Sequence, residues 1–213
     1  IILLLGGILI KIGILILYTF CLFFLPNNQN NYYEIYFNRL ETKYNNQDII
    51  GVIEVENTNI SEVIVKGEDN KYYLTHDLKN NYDIYGTVFM DYRNDLNDKK
   101  KLFFGHNIEL GEAPFKQLEK YLEKDFFYDN NDIYLITKKG KKIYEVFSVM
   151  IVDESSNHMN LVYDNWNEYL HYLQNNSIYY KEVELNNDNI IILQTCNFKP
   201  RNTYILVIAK ETE

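Results

Sequence analysis

Cysteine is scarce in this chain: two in 213 residues, Cys21 and Cys196. Cys21 falls inside an apolar N-terminal run, so the polar remainder holds one thiol and can form no internal disulfide. Domains outside the cell often carry disulfides; a lone thiol in one points instead to a reactive group or to one linked to a partner. An excess of positive charge is missing too. Lys and Arg number 21 against 30 Asp and Glu, a net charge of -9, with the signs interspersed. A nucleic-acid partner usually demands a basic face, so none is expected. Acidic residues are dispersed and no ligand spacing stands out, so neither a metal nor a cofactor is expected. No internal repeat is visible and no linker interrupts the chain after residue 45. With 46% hydrophobic residues, this leaves enough for one compact domain with a sizeable core.

The first 25 residues, "IILLLGGILIKIGILILYTFCLFFL", are apolar except for Lys11, Tyr18 and Thr19, and Pro26 closes the run. A membrane span needs about 20 such residues. A cleaved signal peptide has a shorter apolar core ending in small residues, whereas this run ends in Phe-Phe-Leu-Pro. Lys11 costs roughly 2.5–3.5 kcal/mol on insertion scales, which so apolar a segment absorbs. The reading is an uncleaved single-pass anchor over 1–25. A polar linker and first helix follow over 26–45, and one globular domain covers 46–213.

Short apolar or alternating runs recur at 49–55, 62–66, 71–75, 86–91, 100–105, 132–137, 141–152, 189–194 and 203–210, separated by Asn, Asp and Gly clusters. That is the pattern of strands. "TKKGKK" around Gly140 reads as a hairpin turn. Helical spacing is found over 30–44 (Tyr33, Tyr36, Phe37, Leu40, Tyr44), over 113–123 (Phe115, Leu118, Leu122) and over 161–174 (Val162, Trp166, Tyr169, Leu170, Leu173), where Asn160 or Asp164 is available as a cap. Many strands and few helices predict a mostly-β barrel or sandwich with helical insertions.

Cys196 stands where the apolar "IIIL" gives way to "QTCNFKP". At a strand end its side chain can project into a cleft, and there it acts only as thiolate, beside a cation or base. On position alone, a small buried hydrophobe is the simpler reading, since free Cys is among the most buried residue types. Four histidines compete as partner. His171 lies in a helix pattern, His158 in the polar "DESSNHMN", and His76 at the end of "YYLT". His106 follows Gly105 at the end of "KKLFFG", which makes it the best placed of the four. Arg201 is the third element: a guanidinium able to hold a developing oxyanion, or a surface charge after a Lys-Pro turn. Thr195 can turn its hydroxyl toward a substrate backbone, though Thr in a strand needs no function.

Taken together these segments resemble the class B sortases of Gram-positive bacteria. "ILQTC" (192–196) is similar to that family's Thr-Leu-x-Thr-Cys strand end, with Ile192 in place of the leading Thr. "FFGHNIELGEAPFKQL" (103–118) matches its Gly-His-Asn context. "DNKYYLTHDLKNNYDIYGTVFMDYRN" (69–94) looks like the region ahead of that histidine, and the helix pattern over 161–174 lies where class B members carry a long helix between two late strands. The resemblance covers roughly 30–210.

It implies a closed sortase-type β-barrel of about eight strands, with an N-terminal helix and a helix inserted between late strands. Cys196 is then the nucleophile, His106 its imidazolium partner and Arg201 the oxyanion donor, while Thr195, Leu193, Asn107 and Tyr204 meet the substrate. The implied reaction cleaves a C-terminal sorting motif, LPxTG-like or NPxTx-like, after Thr. A Cys thioester then passes the surface protein to an amine of peptidoglycan or its lipid-linked precursor. The implied place is the cell membrane, with the catalytic domain outside. A pilin-polymerising sortase, or a weakly catalytic module that only captures sorting peptides, are the alternatives. A papain-like protease is disfavoured, because there the Cys precedes the His. One departure stands out. The family's Arg lies five residues before an Ala-Lys ending, and counting back from Ala209 reaches Tyr204, with Arg201 three residues earlier. The carboxylate some members carry two residues after the Cys is Phe198 here.

Overall fold

The computed structural model describes residues 28–213 apart from 110, 130–131, 154, 157–158, 160–164, 185–187 and 213. The expected anchor over 1–25 and His158 lie outside these residues. Among the described residues, no helix is long and apolar enough to cross a membrane.

Among the described residues, nine strands follow helix α1 (Asn28–Tyr44): β1 (Ile49–Val55), β2 (Ser61–Val65), β3 (Val88–Met90), β4 (Lys100–Phe104), β5 (Asp132–Thr137), β6 (Gly140–Asp153), β7 (Tyr179–Tyr180), β8 (Ile190–Asn197) and β9 (Thr203–Glu211). Helix α2 (Lys124–Asp129) precedes β5, and α3 (Trp166–Asn176) lies between β6 and β7. Strands pair in the order β5-β1-β2-β3-β4-β8-β9-β6, and β6 returns to β5, so eight strands close on themselves while β7 adds to β6. This is the mostly-β closed barrel expected. Pairs β2/β3 and β4/β8 are parallel and the others antiparallel.

Alternation along each strand divides the side chains between two clusters. Ile191, Leu193, Ile205, Val207, Phe103 and Met90 fill the barrel. Ile190, Ile192, Leu206, Ile208, Leu102, Phe104 and Phe89 face outward, beneath Phe37 of α1 and Tyr169 and Leu173 of α3. In β6 a register shift between Val146 and Ser148 re-phases the pattern, so that Tyr144, Val146 and Val149 all face inward. The β5–β6 turn at Lys138–Lys139 is the hairpin expected, with Gly140 at φ +132°.

Three elements differ from expectation. The run at 71–75 is a 3₁₀ turn (Tyr72–Leu74), because Asp69 Oδ1 accepts the N–H groups of Lys71 and Tyr72 at 2.8 and 2.9 Å and coils the chain there. The segment 113–123 is a 3₁₀ helix over Lys116–Leu122. Phe115, Leu118 and Tyr121 are all fully buried, and a spacing of three is the period of that helix rather than of an α-helix. Helix α3 is capped by Asn165, whose side chain accepts the Asn167 N–H at 2.9 Å.

Candidate active site

Strand β4 runs parallel to β8 with Phe104 opposite Gln194. Both face outward, and two residues further along each strand stand His106 and Cys196. The ladder carries on past β4, since the Gly105 N–H donates to the Gln194 carbonyl at 3.2 Å. Neighbouring strands lie about 4.8 Å apart, so this register brings the chain at His106, just past the end of β4, close to Cys196, and both residues line the same cleft.

Four hydrogen bonds hold the turn that carries His106. Thr195 Oγ1 donates to the Gly105 carbonyl at 2.7 Å, and Asn107 Nδ2 donates to the Cys196 carbonyl at 3.0 Å. The Phe115 N–H donates to the His106 carbonyl at 2.9 Å. The ring itself is fixed by His106 Nε2, which donates to the Leu74 carbonyl at 2.7 Å. Gly105 is required by a close approach: a Cβ there would stand 2.6 Å from the Phe115 ring.

Cys196 and His106 line one cleft of about 360 Å³ together with Leu74, Phe89, Phe104, Met159 and Tyr204 on its apolar walls and Asn70, Gln194 and Thr195 among its polar ones. Cys196 is half-buried, and that burial pushes its thiol above the usual value. Tyr204 stands directly opposite Cys196 in the β8/β9 ladder.

Other expected residues fall elsewhere. Arg201 does not line the cleft. It lies in the β8–β9 turn with its side chain 79% exposed, 3.9 Å from Glu109 Oε2. Leu193 is fully buried inside the barrel; three residues from Cys196, an odd step, it must take the opposite face of the strand. Asn107 is buried and faces protein: its Nδ2 also donates to Glu119 Oε1 at 2.6 Å, while Oδ1 has no hydrogen-bond partner among the described residues. Thr195, by contrast, does line the cleft, but it is almost wholly buried and its hydroxyl is committed to the turn. His76 stacks on Tyr72 at 4.0 Å with its Nδ1 donating to the Tyr72 carbonyl, and His171 is exposed on α3.

A network that the sequence pattern did not reveal ties the cleft walls together. Buried Asp91 accepts from Arg93 Nε and Nη2 at 2.9 and 2.7 Å and from Asn70 Nδ2 at 3.1 Å. Burial opposes its charge, but the Arg93 and Asn70 hydrogen bonds outweigh this and hold the carboxyl below its usual value. Arg93 Nη2 also donates to the Met159 carbonyl at 3.1 Å, so one carboxylate steadies both Asn70 and Met159. The only trace in the sequence is "FMDYRN". Among the described residues, no group of His, Cys and acids is placed to hold a metal.

No family model matches the chain. Sortase B of Listeria monocytogenes is 31% identical over 158 residues, which are 71% of this chain and 64% of that protein, so the chain spans just under two-thirds of that relative. Sortase B of Staphylococcus aureus is 28% identical over 173 residues, 78% of this chain and 70% of that protein. Among solved structures, Clostridium perfringens sortase B superposes with a TM-score of 0.76 at 29% identity, over 83% of this chain and 99% of that one. A Staphylococcus aureus sortase B–substrate complex gives 0.75 at 27%, over 83% and 84%. In sequence and in fold the chain is similar to the class B sortases.

Proposed function

We propose that the protein is a cysteine transpeptidase that cleaves a C-terminal sorting motif, LPxTG-like or NPxTx-like, after Thr and joins the surface protein to an amine of peptidoglycan or its lipid-linked precursor. The observation that carries the reading is the meeting of Cys196 and His106 on two parallel strand ends over one largely apolar cleft. A relative of similar fold has been solved with its substrate. In the mechanism, the Cys196 thiolate adds to the Thr carbonyl carbon. Its tetrahedral product collapses with breakage of the peptide C–N bond, and His106 gives its proton to the leaving amine. With Nε2 held by Leu74, Nδ1 is the nitrogen that carries this proton. The acceptor amine then attacks the thioester, His106 takes the proton back, and Cys196 leaves as thiolate. Cleft walls of Leu74, Phe89, Phe104 and Met159 exclude water and so favour the amine over hydrolysis. We further infer that residues 1–25 anchor the enzyme in the cell membrane with its domain outside, beside substrate and acceptor.

Intact mass spectrometry of the full chain with a panel of sorting peptides tests this. The expected product is an adduct equal to the peptide up to Thr, absent from Cys196→Ala and strongly reduced in His106→Ala. Peptide binding with no adduct would replace the enzyme by a capture module.

A further inference from the structure

Addition of a thiolate to a carbonyl places a full negative charge on its oxygen, and the rate depends on a donor fixed where that charge appears. Arg201 is not in the cleft. Apart from His106, the lining side chains able to donate are Asn70, Thr195, Gln194 and Tyr204. Asn70 Nδ2 is bound to Asp91 and its Oδ1 accepts the Tyr92 N–H at 3.0 Å. Thr195 donates to the Gly105 carbonyl. Gln194 lies two residues from Cys196 along β8, about 6.5 Å away at the rise of a strand. Tyr204 is directly across from Cys196, where Cβ atoms of facing pairs stand about 4.5–5.5 Å apart. Its long ring extends from there into the same cleft and ends in a hydroxyl.

We propose that the Tyr204 hydroxyl is the oxyanion donor of this enzyme, a neutral phenol doing what a cation would otherwise do. This rests on the acyl-transfer reading above. As Cys196 Sγ bonds to the carbonyl carbon, the C=O π pair moves to oxygen and Tyr204 donates a hydrogen bond to it, keeping its proton. When the C=O re-forms, the C–N bond breaks, the amine leaves with the His106 proton, and the hydrogen bond relaxes. Tyr204 therefore acts in both acylation and deacylation.

Two electrophiles separate this role from packing. p-Nitrophenyl acetate acylates Cys196 through an oxyanion, releasing p-nitrophenolate, whereas iodoacetamide alkylates it by displacement of iodide without one. Both rates are measured for the parent, Tyr204→Phe and Tyr204→Arg, each corrected by Cys196→Ala. The expected result is a fall of about 100-fold in acylation for Tyr204→Phe, alkylation within about twofold of the parent, and recovery of most of the acylation in Tyr204→Arg. Acylation of Tyr204→Phe at the parent rate would overturn the proposal. So would an equal fall in both reactions, which would make Tyr204 a positioning residue for Cys196. These ratios are read whether or not sorting peptides react; failure with the peptides overturns the transpeptidase reading alone.

Discussion

The Cys196 thiol shares its cleft with Phe104, Met159 and Tyr204, and no guanidinium among the described residues lines it. Burial therefore governs its acidity and favours the thiol over the thiolate. The rate of alkylation by iodoacetamide should still be climbing with pH past about 8.5, where free thiols titrate. A midpoint below about 7 would show a cation holding the thiolate. Arg201, 79% exposed beside Glu109, makes a surface pair of the kind worth little. Arg201→Ala should change the rate of thioester formation by less than about threefold, against the 100-fold or more lost with an oxyanion donor. A loss of that larger size in single-turnover acylation would return Arg201 to the site.

At the scale of elements, the site depends on two strands ending together and on the turn after β4. Gly105→Ala forces a Cβ to 2.6 Å from the Phe115 ring. Overpacking of this kind costs about 1–3 kcal/mol, and in a chain of this size each kcal/mol lowers the melting temperature by about 2–4 °C. Calorimetry of Gly105→Ala should show that drop, with acylation weakened as His106 shifts; an unchanged melting temperature would mean that Phe115 yields freely. Much of this scale was legible beforehand. The run "NIIILQTC" marks β8 and the end that carries Cys196, and Gly140 marks the hairpin. The face of each residue follows from parity, which assigns Leu193 to the interior; reading it as a substrate contact overlooked its odd separation from Cys196. At 71–75 the Tyr-rich run looked like a strand because the Asp69 turn acts through side-chain geometry that no alternation encodes. Likewise the period of three in Phe115, Leu118 and Tyr121 is easily taken for an α-helical face. Arg201 was placed by residue type, whereas the register of β8 with β9 decides which side chain faces Cys196. That register is a property of the turn, and it selects Tyr204.

In the whole molecule, the barrel keeps two lysines of β4 almost wholly from water: Lys100 on the outer face beside the Tyr169 ring at 5.0 Å, and Lys101 with its Nζ donating to the Asp98 carbonyl at 2.6 Å. Burial, with Arg93 adding to it, pushes Lys100 down from 10.5 to about 7. A folded-state value below the unfolded one means that the unfolded chain binds the extra proton between the two. Lys100 thus adds stability in full above about 10.5, loses it as pH falls toward about 7, and is neutral to pH below that. Lys100→Met should remove this slope. Denaturant unfolding at pH 7 and pH 9.5 should show a smaller gain with pH in the variant than in the parent; equal gains would place the charge of Lys100 in water. In the proposed function the barrel serves to bring an acylated Cys196 to an acceptor amine. A labelled sorting peptide incubated with triglycine and the full chain tests that most directly. Transpeptidation yields a product in which the peptide, cut after Thr, is joined to triglycine, formed by the parent and not by Cys196→Ala. A parent that releases only hydrolysed peptide at saturating triglycine, or no cleaved peptide at all, would contradict it.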